Sequence, residues 1–362
     1  MVEWKTIGEI SSNVFAGGTP STKHEEYYDG DIPWIRSGEI DFNIITKAER
    51  NITKAGYNNS SAKLIRKGSV VMAMTGATVA KSAIVDFETS ANQSVCAIEP
   101  DTSIADYKYV YYYLAKEYFK IKSSAQGALT SLNLAMIKQI EIPLPSLSEQ
   151  ERIVGILDTF TSSIENLKAQ ISLRRKQYEH YREKLLDLEE KPGVEMKTLG
   201  EVLQIKKGEY ITKKESKEGP YPVILGGKEP AYYIDKYNHT GKAIVVSRSG
   251  ASAGYVSLWN EPIFITDGFL IEPKDDVVYD FLYYILKSMQ RKLHGAQKGG
   301  AIPHITPAMI ESIIIYIPDM HEQSRIVSIL DEFEASIKNL EAQLKAREKQ
   351  YEYYRNKLLT FE

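Results

Sequence analysis

EQERIVGILDTF (residues 149–160) returns almost unchanged as EQSRIVSILDEF (residues 322–333). The two stretches share one offset. Arg152 pairs with Arg325, Asp158 with Asp331, Tyr178 with Tyr351, Tyr181 with Tyr354 and Leu185 with Leu358, each 173 residues apart. The offset holds upstream, where GAL at Gly127 meets GAI at Gly300, AMI at Ala135 meets AMI at Ala308, and IEP at Ile98 meets IEP at Ile271. Nearer the N-terminus it grows: KTIGE, with Gly8, matches KTLGE, with Gly200, 192 residues on. The first copy is therefore 19 residues longer, with almost all of the excess between Gly8 and the GA shared at Gly76 and Gly250. The chain is a tandem duplication of one unit, globular part first and long helix second. Two copies are too few for a solenoid.

The repeated phrase predicts a helix start. Ser146-x-x-Glu149 reads as a capping box, and Asp319-x-x-Glu322 is its counterpart. Apolar residues then follow in alternating steps of four and three: Ile153, Leu157, Phe160, Ile164, Leu167, Ile171, Tyr178, Tyr181, Leu185 and Leu188. The second copy gives Ile326, Leu330, Phe333, Ile337, Leu340, Leu344, Tyr351, Tyr354 and Leu358. Arg174 and Arg347 interrupt both series at the same register. A narrow seam of this kind specifies a coiled coil. About 40 residues at ~1.5 Å each give a rod of roughly 60 Å. The simplest partner for each helix is the other copy, antiparallel, with the arginines at the seam edge fixing register. Packing of each helix on its own domain, or pairing between chains, are the alternatives.

Pro192 and Gly193 stop the first helix and mark a boundary. The expected domains are residues 1–145, a helix over 146–191, residues 192–318, and a helix over 319–362. Within the globular parts, short runs such as SVVMAM at Ser69, KSAIVDF at Lys81, AIVVS at Ala243 and GYVSLW at Gly254 read as strands. Each unit adds one aromatic helix, DYKYVYYYLAKEYFK and VVYDFLYYILKSMQRKL, whose helical spacing points to core. The class is α+β: two globular domains with two long helices in a pseudo-two-fold tandem repeat.

Catalytic signatures are missing from the sequence. TGATVAKS at Thr75 lacks the glycine before the lysine that a phosphate loop needs, and RSGASAGYVS in the second copy has Tyr255 where Lys81 stands. There is no metal-ligand spacing, no nucleophile elbow and no adenine-methyltransferase Asn/Asp-Pro-Pro-Tyr/Phe motif. The six histidines are scattered and form no pair across the repeat. No enzyme activity and no cofactor are expected. The single cysteine, Cys96, lies in the apolar run SVCAI and reads as a buried small hydrophobe, compatible with a reducing cytoplasm. No apolar stretch is long enough for a membrane span.

Together these blocks resemble a family. IPLPSLSEQERIVGILDTF and IYIPDMHEQSRIVSILDEF, WKTIGEI followed by FAGGTPS and DIPWIRSGEI, and GALTSLNLAMIKQIEIPLP are similar to the specificity subunits of type I restriction–modification enzymes. The likeness runs over nearly the whole sequence. It fails at the start of the second unit, where IKKGEYITKKESKEG replaces the GGTPS block.

The resemblance implies a non-catalytic, cytoplasmic subunit in which each globular part is a target recognition domain reading half of a bipartite site in double-stranded DNA. The paired helices would space the two readers by ~34 Å or more, about a DNA turn, and dock two methyltransferase subunits and, through them, restriction subunits. A coiled-coil scaffold without DNA readout, an enzyme with an unfamiliar site, and a partner that fuses nuclease and methyltransferase are the rival readings.

Base edges are read by amide, guanidinium and hydroxyl groups, and phosphates by cations and backbone N–H. In the first unit the candidates are Thr19, Ser21, Lys23, Arg36, Ser37, Thr75, Thr78, Lys81, Asn92 and Gln93. In the second they are Lys213, Lys214, Lys228, Arg248, Ser249, Ser252 and Tyr255. Arg248, in a Ser-Arg-Ser-Gly turn, suits a bidentate contact with guanine. A net charge of −3 is low for a nucleic-acid binder, so tight binding is expected only with the methyltransferase partners clamped on the duplex.

Overall fold

The computed structural model describes residues 2–361 apart from 126–130, 228 and 296–303. The repeated GAL and GAI at Gly127 and Gly300, and the candidate Lys228, lie outside the described residues. Two compact units emerge: Met1–Leu167 with Gln343–Glu362, and Lys168–Ala342. The division falls inside both long helices, Leu147–Leu186 and Met320–Leu358.

The first unit is built on a five-stranded sheet in the order Ser11–Ala16, Val95–Pro100, Val70–Ala73, Ser82–Val85, Ile44–Ile45. Its central strands are buried throughout, and apolar but for Ser82 and Glu99, because both faces are covered. Val70, Met72, Ile84, Cys96 and Ile98 meet the aromatic helix Tyr107–Lys116. Val71, Ala73, Ala83, Val85, Val95 and Ala97 point the other way, on to Ile35, Ile40, Ile45 and Ala91. Alternate residues of one strand thus serve two cores. A three-stranded sheet, Arg50–Ile52, Tyr28–Ile35, Ser90–Ala91, lies beside it, and Glu3–Thr6 pairs antiparallel with Glu141–Leu144.

Among the described residues, the second unit repeats the plan with one strand fewer. Its four-stranded sheet runs Leu203–Lys207, Gly268–Pro273, Lys242–Ser247, Val256–Asn260. A three-stranded sheet, Tyr232–Ile234, Tyr221–Ile224, Phe264–Ile265, accompanies it, and Glu195–Thr198 pairs with Ile314–Ile317. The helix Tyr279–Ser288 covers one face.

The aromatic helices are core, as their spacing predicts. Tyr109 is fully buried and donates to the Pro143 C=O at 2.7 Å. Tyr112 donates to Asp158 at 2.7 Å and Tyr284 to Asp331 at 2.6 Å, so the paired aspartates of the repeated phrase anchor these helices. Cys96 is buried, and burial pushes its thiol up to about 12.

The helix starts differ from the expected capping box. Ser146 Oγ and Asp319 Oδ1 do accept from the N–H of Glu149 and Glu322, at 3.4 and 2.8 Å. The glutamates, however, turn forward and clamp Arg152 and Arg325 with two bonds each, 2.6–2.7 Å long. A bidentate guanidinium outcompetes one backbone N–H for the carboxylate. Full boxes form instead at Thr6 with Glu9 and Thr198 with Glu201, in the KTIGE and KTLGE repeats.

The deeper anchor is a buried glutamine. Gln150 accepts from Asp106 N–H at 2.9 Å and donates to the C=O of Ile104 and Pro145. Gln323 does the same with Val278 N–H, Asp276 C=O and Pro318 C=O.

Inside each unit, the start of one long helix lies against the end of the other. In the first unit Phe160 stacks on Tyr354, ring centroids 5.3 Å apart, and Arg347 lies over Phe160 at 5.7 Å. In the second, Phe333 stacks on Tyr181 at 5.4 Å and Arg174 lies over Phe333 at 5.7 Å. The arginines that interrupt both seams therefore cap a phenylalanine of the facing helix in both units. The first long helix ends at Leu186, before Leu188, which is buried in the core of the second unit rather than continuing the seam.

Candidate nucleic-acid interface

In the first unit the loop after strand Ser11–Ala16 is held by backbone hydrogen bonds. Gly17 N–H donates to Val95 C=O at 3.0 Å and Gly18 N–H to Ala91 C=O at 2.8 Å. A Cβ on Gly17 would stand 2.2 Å from the Ala91 oxygen, so the approach requires glycine. Trp34 Nε1 donates to the Gly18 C=O at 3.0 Å and Tyr28 Oη to the Pro20 C=O at 2.6 Å. This places Thr19 against Gln93, to which its hydroxyl donates. Asn92 N–H donates to Ile35 C=O at 3.0 Å, which brings the following Arg36 and Ser37 alongside. Thr78 Oγ1 donates to the Ser37 C=O at 2.7 Å, and Met74 N–H, just before Thr75, donates to Ser94 C=O at 2.8 Å.

Seven of the candidates, Thr19, Arg36, Ser37, Thr75, Thr78, Asn92 and Gln93, thus share one edge. Lys81 lies one turn on, 2.5 Å from Asp41. Ser21 and Lys23 are exposed farther along the first loop.

The second unit uses the same backbone. Gly208 N–H donates to Gly268 C=O and Glu209 N–H to Ile265 C=O, both at 2.9 Å, and a Cβ on Gly208 would meet the Thr266 oxygen at 2.5 Å. Thr266 N–H donates to Ile224 C=O, Arg248 N–H to Asp267 C=O, and Ile305 N–H to Arg248 C=O. The turn that follows repeats bond for bond. Ala80 N–H to Ala73 C=O at 2.8 Å becomes Gly254 N–H to Ser247 C=O at 2.9 Å. Val79 to Gly76 becomes Ala253 to Gly250, and Lys81 to Thr78 becomes Tyr255 to Ser252. Gly76 and Ala80 have positive φ, as do Gly250 and Gly254.

These bonds define which side chains replace which. Thr19 gives way to Tyr210, Arg36 to Leu225, Met74 to Arg248, Thr75 to Ser249, Thr78 to Ser252, Lys81 to Tyr255, Asn92 to Thr266 and Ser94 to Asp267, with Gln93 an extra residue between the last two. The scaffold is retained and its exposed chemistry replaced. Four of these second-unit residues, Tyr210, Leu225, Thr266 and Asp267, are not among the sequence candidates. Tyr210 is 86% exposed at the position of Thr19. Asp267 accepts from Ser249 Oγ and stands 3.7 Å from Arg248 Nε. The offset of 173 from Ser94 is the signal that identifies Asp267. Nothing but a shared glycine marks Tyr210. Lys213 and Lys214 are exposed on a short turn beyond Ile211.

The cations at this edge are partnered by acids: Arg36 with Glu49 at 2.7 Å, Lys81 with Asp41, and Arg248 with Asp267. Each must exchange a carboxylate for a phosphate or base edge before it contributes to binding. That requirement lowers the electrostatic gain per contact below that of a free cation. Lys287 Nζ lies 4.4 Å over the ring of Tyr255, whose hydroxyl is pushed up by burial. No helix among the described residues is long and apolar enough to cross a membrane.

A family model described as the type I restriction modification DNA specificity domain matches residues 1–174 and again 192–347. The chain is 28% identical over 358 residues to the type I restriction enzyme EcoprrI specificity subunit of Escherichia coli, covering 92% of this chain and 88% of that one. It is 28% identical over 392 residues to a putative type I restriction enzyme specificity subunit of Haemophilus influenzae, covering 99% and 96%. Its fold is similar to the crystal structure of a type I restriction–modification S subunit from M. genitalium, with TM-score 0.69 at 20% identity over 100% of this chain and 97% of the other.

Proposed function

Because the chain belongs to the type I restriction–modification DNA specificity family, and is a non-catalytic DNA-recognition subunit of such a complex, we propose that each unit reads one half of a bipartite, asymmetric site. The observation that carries this reading is the repeated edge framework with exchanged side chains. A common backbone presents Thr19, Arg36, Thr78, Lys81 and Asn92 in one unit, and Tyr210, Arg248, Ser252, Tyr255 and Thr266 in the other. Direct readout depends on such donor, acceptor and apolar identities. Two frames of one shape with different contents read two different half-sites.

The long helices pair as an antiparallel coiled coil and dock two methyltransferase subunits, through which restriction subunits join. The stacking of Phe160 with Tyr354 and of Phe333 with Tyr181 supports the antiparallel sense. The identical Glu149–Arg152 and Glu322–Arg325 clamps, exposed at equivalent points, suit two copies of one partner. The complex works in the cytoplasm, where its DNA is.

Methylome sequencing of cells with and without this protein tests the reading. A two-part motif that disappears with the protein is expected, and its persistence would overturn the proposal. The isolated subunit, with a net charge of −3 and its edge cations paired, binds DNA weakly at physiological salt. Nanomolar specific binding by the subunit alone would contradict the partner-clamp part of the proposal.

A further inference from the structure

The sheets of the two units differ at one edge. In the first unit Ile44–Ile45 lies parallel beside Ser82–Val85, with Ile44 opposite Ile84 and Ile45 opposite Val85. Phe42 N–H donates to Ser82 C=O at 3.0 Å, Ile84 N–H to Asn43 C=O at 3.1 Å, and Asp86 N–H to Ile45 C=O at 3.0 Å. Tyr111 Oη completes the seat by donating to the Phe42 C=O at 2.7 Å.

The corresponding strand of the second unit, Val256–Asn260, ends its sheet, and among the described residues no strand lies beyond it. The segment that would supply one is short. Residues 36–49 join the parallel-paired strand to its antiparallel neighbour in the first unit, fourteen residues against seven, 225–231, in the second.

The bond from Ser247 N–H to Tyr255 C=O at 2.9 Å sets the alternation along this strand. Val256, Leu258 and Asn260 therefore turn their peptide groups outward, as Ser82, Ile84 and Asp86 do. Side chains meet Val256: Lys287 Nζ donates to its C=O at 2.8 Å and its N–H reaches Gln290 Oε1 at 3.4 Å. The outward peptide groups of Leu258 and Asn260 have no such partner among the described residues. Beside them is a groove of about 430 Å³ walled by Tyr233, Tyr255, Trp259 and Tyr283, with Glu229 and Glu261 on its lining. Tyr283 corresponds to Tyr111, because the next residues, Tyr284 and Tyr112, bond the equivalent aspartates. The hydroxyl that holds the fifth strand in one unit makes no hydrogen bond among the described residues in the other.

We propose that the open edge Val256–Asn260 and its groove form a docking site for an extended segment of a partner protein, taken up in parallel as a fifth strand. The first unit supplies the template for the occupant: an aromatic residue, then aliphatic ones, with the backbone carbonyl of the aromatic residue accepting from the tyrosine hydroxyl. The carboxylates of Glu229 and Glu261 outnumber the one cation of the lining among the described residues, Lys287, which donates to Val256 C=O and Gln290. They therefore select a segment that carries a basic residue. Backbone hydrogen bonds supply the affinity and the groove the selectivity, as in strand addition generally. An open, unprotected edge is otherwise a liability that proteins tend to cover. The inference goes beyond DNA reading and does not rest on it.

The test uses the first unit's own strand as the probe, a synthetic peptide EIDFNIITK (residues 39–47) added to the full-length protein. At saturation, amide hydrogen exchange at Leu258 and Asn260 slows at least tenfold, while Ser82–Val85, already paired, is unchanged. Leu258→Pro removes an outward N–H without touching the inner ladder and abolishes the protection. Tyr283→Phe weakens peptide binding by roughly three- to tenfold. Unchanged exchange at saturating peptide overturns the proposal. So does equal protection by a scrambled peptide, or protection that survives Leu258→Pro.

Discussion

The start of each long helix and the loop edge of each globular part are both duplicated, in opposite ways. At the helix starts, backbone and side chains are kept together. Gln150 and Gln323 make the same three bonds, and Arg152 and Arg325 sit in the same clamps. At the loop edges the backbone is kept and the side chains are exchanged. Packing on a common scaffold, and on the common partner proposed above, holds both levels fixed. A surface that reads different targets holds only the first. The difference between these two regions distinguishes what each half of the molecule shares from what it alone recognises.

Four experiments probe that contrast. The largest effect belongs to the shared region. Gln150→Ala leaves one buried N–H and two carbonyls without partners, and costs about 2–4 kcal/mol in urea unfolding. Gln323→Ala costs the same within error. Unequal costs would show that the helix starts are not equivalent.

The next effect belongs to the divergent region. Arg248→Ala relaxes preference at one base position by about 1–3 kcal/mol in a methylation-site map of the assembled complex, and leaves the other half-site intact. If affinity and preference both stay the same, Arg248 does not read the target.

Third, Phe160→Ala and Phe333→Ala each remove a stacked ring and the seat of an arginine, for about 2 kcal/mol of stability. A loss confined to one of them would refute the helical symmetry.

The smallest effect concerns acid. Arg152 and Arg325 hold the carboxyls of Glu149 and Glu322 below the usual glutamate range. Their contribution is present above the unfolded carboxylate value of ~4.3 and is lost as pH falls through the lower folded value. Arg152→Ala should therefore lower Tm at neutral pH by no more than about one degree, since the pair is solvent-screened. The gap between variant and parent closes in acid. A gap that persists there would assign the arginine a packing role.

Much of this was legible in the sequence because duplication constrains each position twice. The offset of 173 located the helices and the aspartates that hold Tyr112 and Tyr284, and the shared GA at Gly76 and Gly250 located the pairing of Lys81 with Tyr255. It was silent where a single atom matters. Gly17 and Gly208 are fixed because a Cβ would strike a carbonyl, yet the loops around them, FAGGTPS and KKGEYIT, have nothing else in common. Tyr210 was hidden for that reason. The acid partners were also obscured: Glu49, Asp41 and Asp267 lie 13, 40 and 19 residues from their cations, and only folding brings them together. The capping signature misled because a carboxylate with two possible donors takes the arginine.

Those acid partners carry a kinetic consequence. If this edge reads DNA as proposed, its cations arrive already neutralised and it releases few counterions when it lands on an arbitrary duplex. Its dwell time there is short, and it returns to search. Only a sequence that offers Arg36 or Arg248 a better acceptor than its own carboxylate lengthens the stay. Restraint toward the wrong DNA is then a property of Glu49 and Asp267 as much as of the side chains that touch the right one.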